Sequence, residues 1–398
     1  MWAVLSRDAD RWPTRPRQGR IAPQRHSRGE SPWFKNTEPT MNVMTCYAAS
    51  VGWLLQAVLL SSAAAKEYLY VHNTYSGDIS KIAIPEHEVV GKIPVGFYMD
   101  YVNKSPDGRT LYANRIYGDL PGAPVKHIGV DGELIAIDTA TDELRWRLDL
   151  DGMPHHIAVS KDGRHVFVPY YDTWWLAVVD VEQRQIVKKI WIGHGGHGTK
   201  VSADGKRLYV GSMMNDTLTV IDTDKLKVSN VFQFRDGVRP FVFPKDESVI
   251  YVQQSWLHGF IVLDPATRKQ RTVNLPDLGR EVPTPFRYPH NVNHGIALNP
   301  AETELWAAGS ALQFVAVYKH PGLEHVTNIP VGKDANAIAF SGDGKYAYVT
   351  NRRDNNLSVI DAHKHQEIKR IPLGKYPQRM VVIDVPDQRE SPSPVAPR

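Results

Sequence analysis

The sequence predicts an all-β fold, a seven-bladed β-propeller of four-stranded antiparallel blades closed by the C-terminal strand pairing with the N-terminal blade. Three observations carry this. A turn signal followed by a strand recurs along the chain. Its recurrences lie close to the roughly 40 residues of one propeller blade. The chain also starts without an inner strand and ends with a spare one.

The repeat reads as an Asp-Gly type turn, a strand, then a strand ending in Val-Ile-Asp or its equivalent. The turn-and-strand copies are SPDGRTLYANR (105–115), SKDGRHVFVPY (160–170), SADGKRLYVGS (202–212), PKDESVIYVQQ (244–254), NPAETELWAAG (299–309) and SGDGKYAYVTN (341–351). The following strands are predicted at 134–141, 176–183, 218–225, 260–267, 314–321 and 357–364. Short alternating strands separated by regular turn residues mark an all-β repeat. The first blade has strands at 68–72, 78–84 and 89–93, and the orphan strand Arg379–Val385 is predicted to complete it. That clasp closes the ring without a disulfide.

Of the 398 residues, 42% are hydrophobic and 23% charged, a globular balance that excludes a disordered or collagen-like chain. The formal charge of +4 is local. Arg7, Arg11, Arg15, Arg17, Arg20, Arg25, Arg28 and Lys35 face only Asp8, Asp10, Glu30 and Glu38 in residues 1–40. Residues 41–65 carry no charge, and 66–398 is formally neutral. No nucleic-acid partner is expected of such a surface. Residues 1–40 read as an upstream basic segment absent from the mature protein. Residues 41–65 read as a signal peptide, an apolar run ending in Ala63-Ala64-Ala65. The propeller spans 66–385, and 386–398 is a disordered Pro/Ser-rich tail. The protein is therefore expected to be periplasmic or secreted, monomeric, and without a membrane span once mature. The single cysteine, Cys46, lies in the signal segment, which leaves no disulfide, no Cys-x-x-Cys-His haem attachment and no thiolate ligand.

Tyr348-Val349-Thr350-Asn351 followed by Leu357-Ser358-Val359-Ile360-Asp361 resembles the YncE-like, or YVTN-repeat, family of seven-bladed propellers. The resemblance covers essentially all of 66–384 and implies the fold. The family includes enzymes and binding proteins, so it implies no single activity.

Aligning the turns exposes a ring. The residue five positions before each turn serine, or its equivalent, is Asp100, His155, His197, Arg239, His294, Asn336 or Gln378, at spacings of 55, 42, 42, 55, 42 and 42. Two positions further on, the residues are Val102, Ile157, Thr199, Phe241, Ile296, Ile338 and Met380, nearly all apolar. Each inner strand thus starts with one polar residue at the channel mouth and then enters the core. Three imidazoles with an open position suit a catalytic metal, so His155, His197 and His294 are expected to hold one. Arg239 and Asp100 stand beside it as catalytic groups. His156, His194, His290 and His258 are possible additional ligands, although His155 and His156 should face opposite sides of their strand. A solvated polar rim is the competing reading.

The His155-His156 pair and the ring with His197 and His294 are similar to the copper-holding propellers of nitrous oxide reductase and thiocyanate dehydrogenase. That resemblance implies a metal in the mouth. The expected cofactor is a metal ion, copper first and zinc or another divalent ion second, with no haem and no nucleotide.

The two long spacings locate insertions at Ile116–Val130 and Leu278–Asn291, both expected to crown the mouth. Tyr170, Tyr171, Trp174, Trp256, Asn336 and Gln378 are expected to bind a small-molecule substrate there. His72, His87, His165, His320, His325, His363 and His365 read as ordinary strand or surface residues. No nucleophile elbow, P-loop or dinucleotide fingerprint occurs. The expected function is a metal-dependent oxidoreductase, copper being the first choice, working with a periplasmic redox or protein partner. A metal-dependent lyase or lactonase, or a non-catalytic ligand- or partner-binding propeller, stands as the alternative.

Overall fold

A computed structural model describes residues 65–117, 131–282 and 292–386. They form seven four-stranded antiparallel sheets. Two single-turn 3-10 helices, Ser310–Leu312 and Arg352–Asp354, are the helical elements among the described residues. No helix there is long and apolar enough to cross a membrane.

The repeat explains the sheets residue by residue. In the Ser-x-Asp-Gly turns the serine hydroxyl donates to the aspartate two positions on, as Ser160 does to Asp162 and Ser202 to Asp204, both at 2.6 Å. The aspartate in turn accepts from the backbone two positions later. The turn then requires a left-handed residue, supplied by Gly163 (φ 75°) and Gly205 (φ 82°). Middle strands such as Arg207–Ser212 and Thr217–Asp222 are buried almost throughout. Outer strands such as Gln185–Trp191 alternate exposed and partly buried residues, which suits an edge facing solvent.

Adjacent blades share their cores. Tyr70 and Ile79 of the first blade pack with Val102, Leu111, Ala113 and Ile135 of the second. A fully buried aliphatic side chain of this kind contributes roughly 1.5–3 kcal/mol. The stabilisation lies between blades, so the ring stands or falls as one body.

The inner strands are Pro377–Val385, Met99–Lys104, Ala158–Val159, Gly196–Val201, Val238–Val242, Ile296–Leu298 and Ala335–Phe340. Each touches the next around the axis, and Ala335–Phe340 touches Pro377–Val385. The C-terminal strand pairs antiparallel with Lys66–Asn73, from Lys66 opposite Val385 to Asn73 opposite Pro377. The expected clasp is therefore present, two residues longer at its start than the sequence indicated. A chain ending at Gly374 is expected to lose the cooperative melting transition and to collect in the insoluble fraction. A soluble truncation with the parent's circular dichroism melt would refute the clasp as the ring's closure.

Candidate functional site

The ring positions fall where strand pairing breaks. Between Met99 and Tyr101, Gly196 and Thr199, Val238 and Phe241, and Ala335 and Ile338, the inner strand carries one residue more than its partner. The same holds between Pro377 and Met380, and around His155 and His156 between Pro154 and Ala158. A bulge re-aims side chains and frees backbone groups. Side chains of the second strands satisfy several of those groups across the blade boundary. Asn114 donates to the His155 carbonyl, Gln253 to the Gly295 carbonyl at 3.0 Å and Thr350 to the Gln378 carbonyl at 3.0 Å.

The bulges correct one expectation. His155 and His156 do not face opposite sides, because strand alternation does not apply inside a bulge. Their rings stack with centroids 5.3 Å apart, and each lies close to His197, at 4.4 Å and 4.5 Å. One ring nitrogen from each of the three comes within 4.8 Å of the others. The expected trio of His155, His197 and His294 is thus not the tight one. His294 lies 5.5 Å from His197 and is turned onto a residue that the ring alignment passed over.

That residue is Arg379, directly after Gln378 and buried. Its Nη1 lies 3.0 Å from His294 Nδ1 and donates to Asn336 Oδ1 at 2.6 Å. Its Nη2 lies 2.9 Å from His294 Nε2 and 3.2 Å from His156 Nε2. The second bulge residue gives a second tier: Tyr101, His156, Gly198, Pro240, Gly295, Ala337 and Arg379. Three adjacent blades contribute large side chains to it, and the other four contribute small or cyclic ones. His72, read from sequence as ordinary, is also fully buried, in the register gap opposite Gln378 and Arg379.

Burial dominates the electrostatics. It pushes His155, His156 and His294 well below the usual imidazole range, with the Arg379 charge as the next cause. His197 is lowered by burial and then by its histidine neighbours. His72 falls to about 3 for the same first reason. Burial raises the Asp100 carboxyl to about 7, opposed by Arg379 and Arg352. Asp100 Oδ2 lies 3.0 Å from His155 Nδ1, but the two atoms are not aligned for a hydrogen bond and each is left without one. Arg379 itself is lowered to about 10 by burial. Arg352 is paired with Asp334 through two bonds of 3.0 Å and 2.8 Å.

The mouth is a cavity of about 180 Å³. Asp100, His155, His197, Arg239, His294 and Gln378 line it as the ring alignment predicts, together with Tyr171, Tyr98, Met213 and Arg379. Arg239 is buried and its Nε donates to Ser255 Oγ at 3.0 Å.

The other expected substrate contacts do not line this cavity. Tyr170 is a core residue, its hydroxyl 3.0 Å from Asp151 Oδ1. Trp174 is half-exposed and stacks on Trp191, and Trp256 is half-exposed with its backbone N–H donating to Asp236. Asn336 faces the other side of the ring. His194 sits against Met214 and the Asp172 carbonyl, and His258 against the Pro276 carbonyl. Neither joins the cluster. His290 and most of the two insertions, 118–130 and 283–291, lie outside the described residues, as does the expected crown.

Residues 128–264 match the family described as the cytochrome D1 heme domain. Among solved structures, the Pseudomonas aeruginosa periplasmic gluconolactonase is 16% identical, covering 80% of this chain and all of its own, with a TM-score of 0.64. A dihydro-heme d1 dehydrogenase is 16% identical over 80% of this chain and 75% of its own, TM-score 0.56. Kuenenia stuttgartiensis hydrazine synthase is 18% identical over 74% and 92%, TM-score 0.62. No curated protein matches the sequence. These likenesses establish the propeller fold.

The family match overturns the cofactor expectation, which excluded haem and placed copper first. That exclusion rested on the missing Cys-x-x-Cys-His attachment, which a non-covalently held tetrapyrrole does not need. The mouth offers donor types such a group uses, His155 and His197 as neutral imidazoles and the Arg239 and Arg379 guanidiniums for its carboxylates, but its cavity of about 180 Å³ among the described residues is smaller than the macrocycle.

Proposed function

We propose that the protein is an exported, monomeric propeller enzyme that hydrolyses a small lactone bearing an anionic group. The observation that carries this is the buried Asp100 carboxyl, raised to about 7 and lying beside the neutral His155 imidazole in the mouth cavity that Arg239 also lines. The anionic group of the substrate binds the guanidiniums, and Tyr171 and Met213 cover its apolar face. Ionised Asp100 takes a proton from water as the oxygen attacks the lactone carbonyl. Arg239 stabilises the oxyanion. When the ring C–O bond breaks, the departing oxygen receives the proton that Asp100 took up, and the open-chain hydroxy acid leaves. The periplasmic gluconolactonase likeness adds support, as does the apolar 47–65 segment for export.

A second reading is favoured by the cytochrome D1 heme domain match. In it, His155 or His197 would hold a haem d1-type tetrapyrrole and Arg239 its carboxylates. The bound group would supply redox chemistry.

One experiment separates the two. A panel of carboxylate-bearing and uncharged lactones is assayed by pH-stat, and haem is titrated while its absorbance is followed. Turnover of the anionic lactones, lowered about 10²–10³-fold in kcat/KM by Arg239→Met, supports the first reading. Inert lactones with a saturable haem spectral shift support the second, and neither response would sink both.

A further inference from the structure

Behind the ring lies a second cavity of about 130 Å³, lined by Tyr101, His156, Thr199, His294, Asn336 and Arg379 among others. We propose that this inner chamber binds a small monovalent anion such as formate, nitrite or chloride. The inference does not rest on the mouth chemistry.

Three side-chain donors carry it. Arg379 Nε, Asn336 Nδ2 and Thr199 Oγ1 are buried and have no hydrogen-bond partner among the described residues. All three residues line the chamber. Asn336 is oriented by its neighbour: its Oδ1 accepts from Arg379 Nη1, which turns its NH2 group away from the cation. Burying such donors unpaired is costly, and an anion in the chamber they line offers them an acceptor.

Charge points the same way. Among the described residues no carboxylate lines the chamber. Asp100, which attracts Arg379, lines the mouth instead. The histidines of the lining are neutral and leave the guanidinium charge uncompensated on this side. Size limits the occupant. A water takes about 30 Å³, so the chamber holds a few-atom anion with a companion water. Gly198, Gly295 and Ala337 line it without large side chains; at Gly295 the missing Cβ also lets the Asn336 carbonyl of the next blade approach closely. A further cavity along the channel, lined by Asn103 and Lys200, also borders Tyr101 and Thr199. Lys200 there suits steering of an anion inward.

The test is a thermal melt of the full chain in sodium formate against sodium glutamate at equal ionic strength. Glutamate is too large for the chamber. Formate is expected to raise the melting temperature saturably, by about 5 °C once it exceeds its dissociation constant a hundredfold, and glutamate is not. Asn336→Asp, which sets a carboxylate against Arg379, should abolish the response. Ala337→Leu, which fills the chamber without changing charge, should abolish it too, so either variant decides if the other does not fold. Arg239→Met, altered only on the mouth side, should keep it. No difference between the two salts would mean that water alone fills the chamber. A response lost in Arg239→Met and kept in Ala337→Leu would move the anion to the mouth. Either result overturns the proposal.

Discussion

Replacing Asp100 by Asn is expected to lower lactone turnover about 10²–10⁴-fold and yet to make the protein more stable at pH 8. The two effects share one cause. Burial raises the Asp100 carboxyl from its ordinary value of 3.8 to about 7. That pKa suits a general base working near neutrality, but it means that the folded state resists the charge. With the folded pKa above the unfolded one, the group's contribution is fully present below pH 3.8. It is lost as pH rises through about 7. At 1.36 kcal/mol per pKa unit, the ionised carboxylate costs on the order of 4 kcal/mol at pH 8. The asparagine side chain would carry no charge to bury, although its contact with His155 weakens, so the melting temperature should rise at pH 8 and rise less at pH 5.5. The parent's kcat/KM should climb with pH through an apparent pKa near 7, and the residual activity of the variant should lack that limb. Unchanged turnover in Asp100→Asn would remove the proposed base. A lower melting temperature at pH 8 would mean that Asp100 is there to hold the ring together.

The fold was legible because its signals are local and repeated. Ser-x-Asp-Gly fixes each turn, alternation fixes each strand, and the unmatched Arg379–Val385 strand fixes the closure. Turn register also placed Asp100, His155, His197, Arg239, His294 and Gln378 around one cavity, because every blade starts its inner strand at the same distance from its turn. The misses share a physical origin in the bulges. A bulge breaks the period of two, and nothing in a single sequence marks it, so strand alternation separates His156 from His155 and the turn register skips Arg379. The contrast between Tyr101, His156 and Arg379 and the small Gly198, Gly295 and Ala337 was present in the sequence as a second column of the same alignment. The aromatic loop residues failed for another reason. Tyr170, Trp174 and Trp256 stand near the ring in sequence, but packing decides whether an aromatic ring fills the core, stacks on a neighbour or faces a ligand. His72 is not legible from sequence because a lone histidine in a strand carries no sign of burial.

The same buried histidines make acid the protein's weak point. His72, His155, His156, His197 and His294 all have pKa values depressed by burial. In the unfolded chain each titrates near 6.5. The stability they confer by staying neutral is present above that value and lost as pH falls below it, because the unfolded state then binds protons that the folded state refuses. Each group gives up about 1 kcal/mol over the first pH unit of that window. Asp100 works in the opposite direction over the same range, since its raised pKa favours the folded state as pH falls. Within this cluster, five histidines against one carboxylate leave a net loss of about 4 kcal/mol between pH 6.5 and 5.5, close to the lower end of the whole stability of a typical domain. Urea denaturation should therefore show a midpoint that is steady from pH 8 to 7 and collapses towards pH 5.5, with about four protons taken up per molecule unfolded at the lower pH. His156→Gln, which removes one of the five titrations, should shift the collapse to lower pH. A midpoint that stays level down to pH 5.5 would show that the cluster accepts protons while folded, and the ring would then be a solvated rim with charged imidazoles.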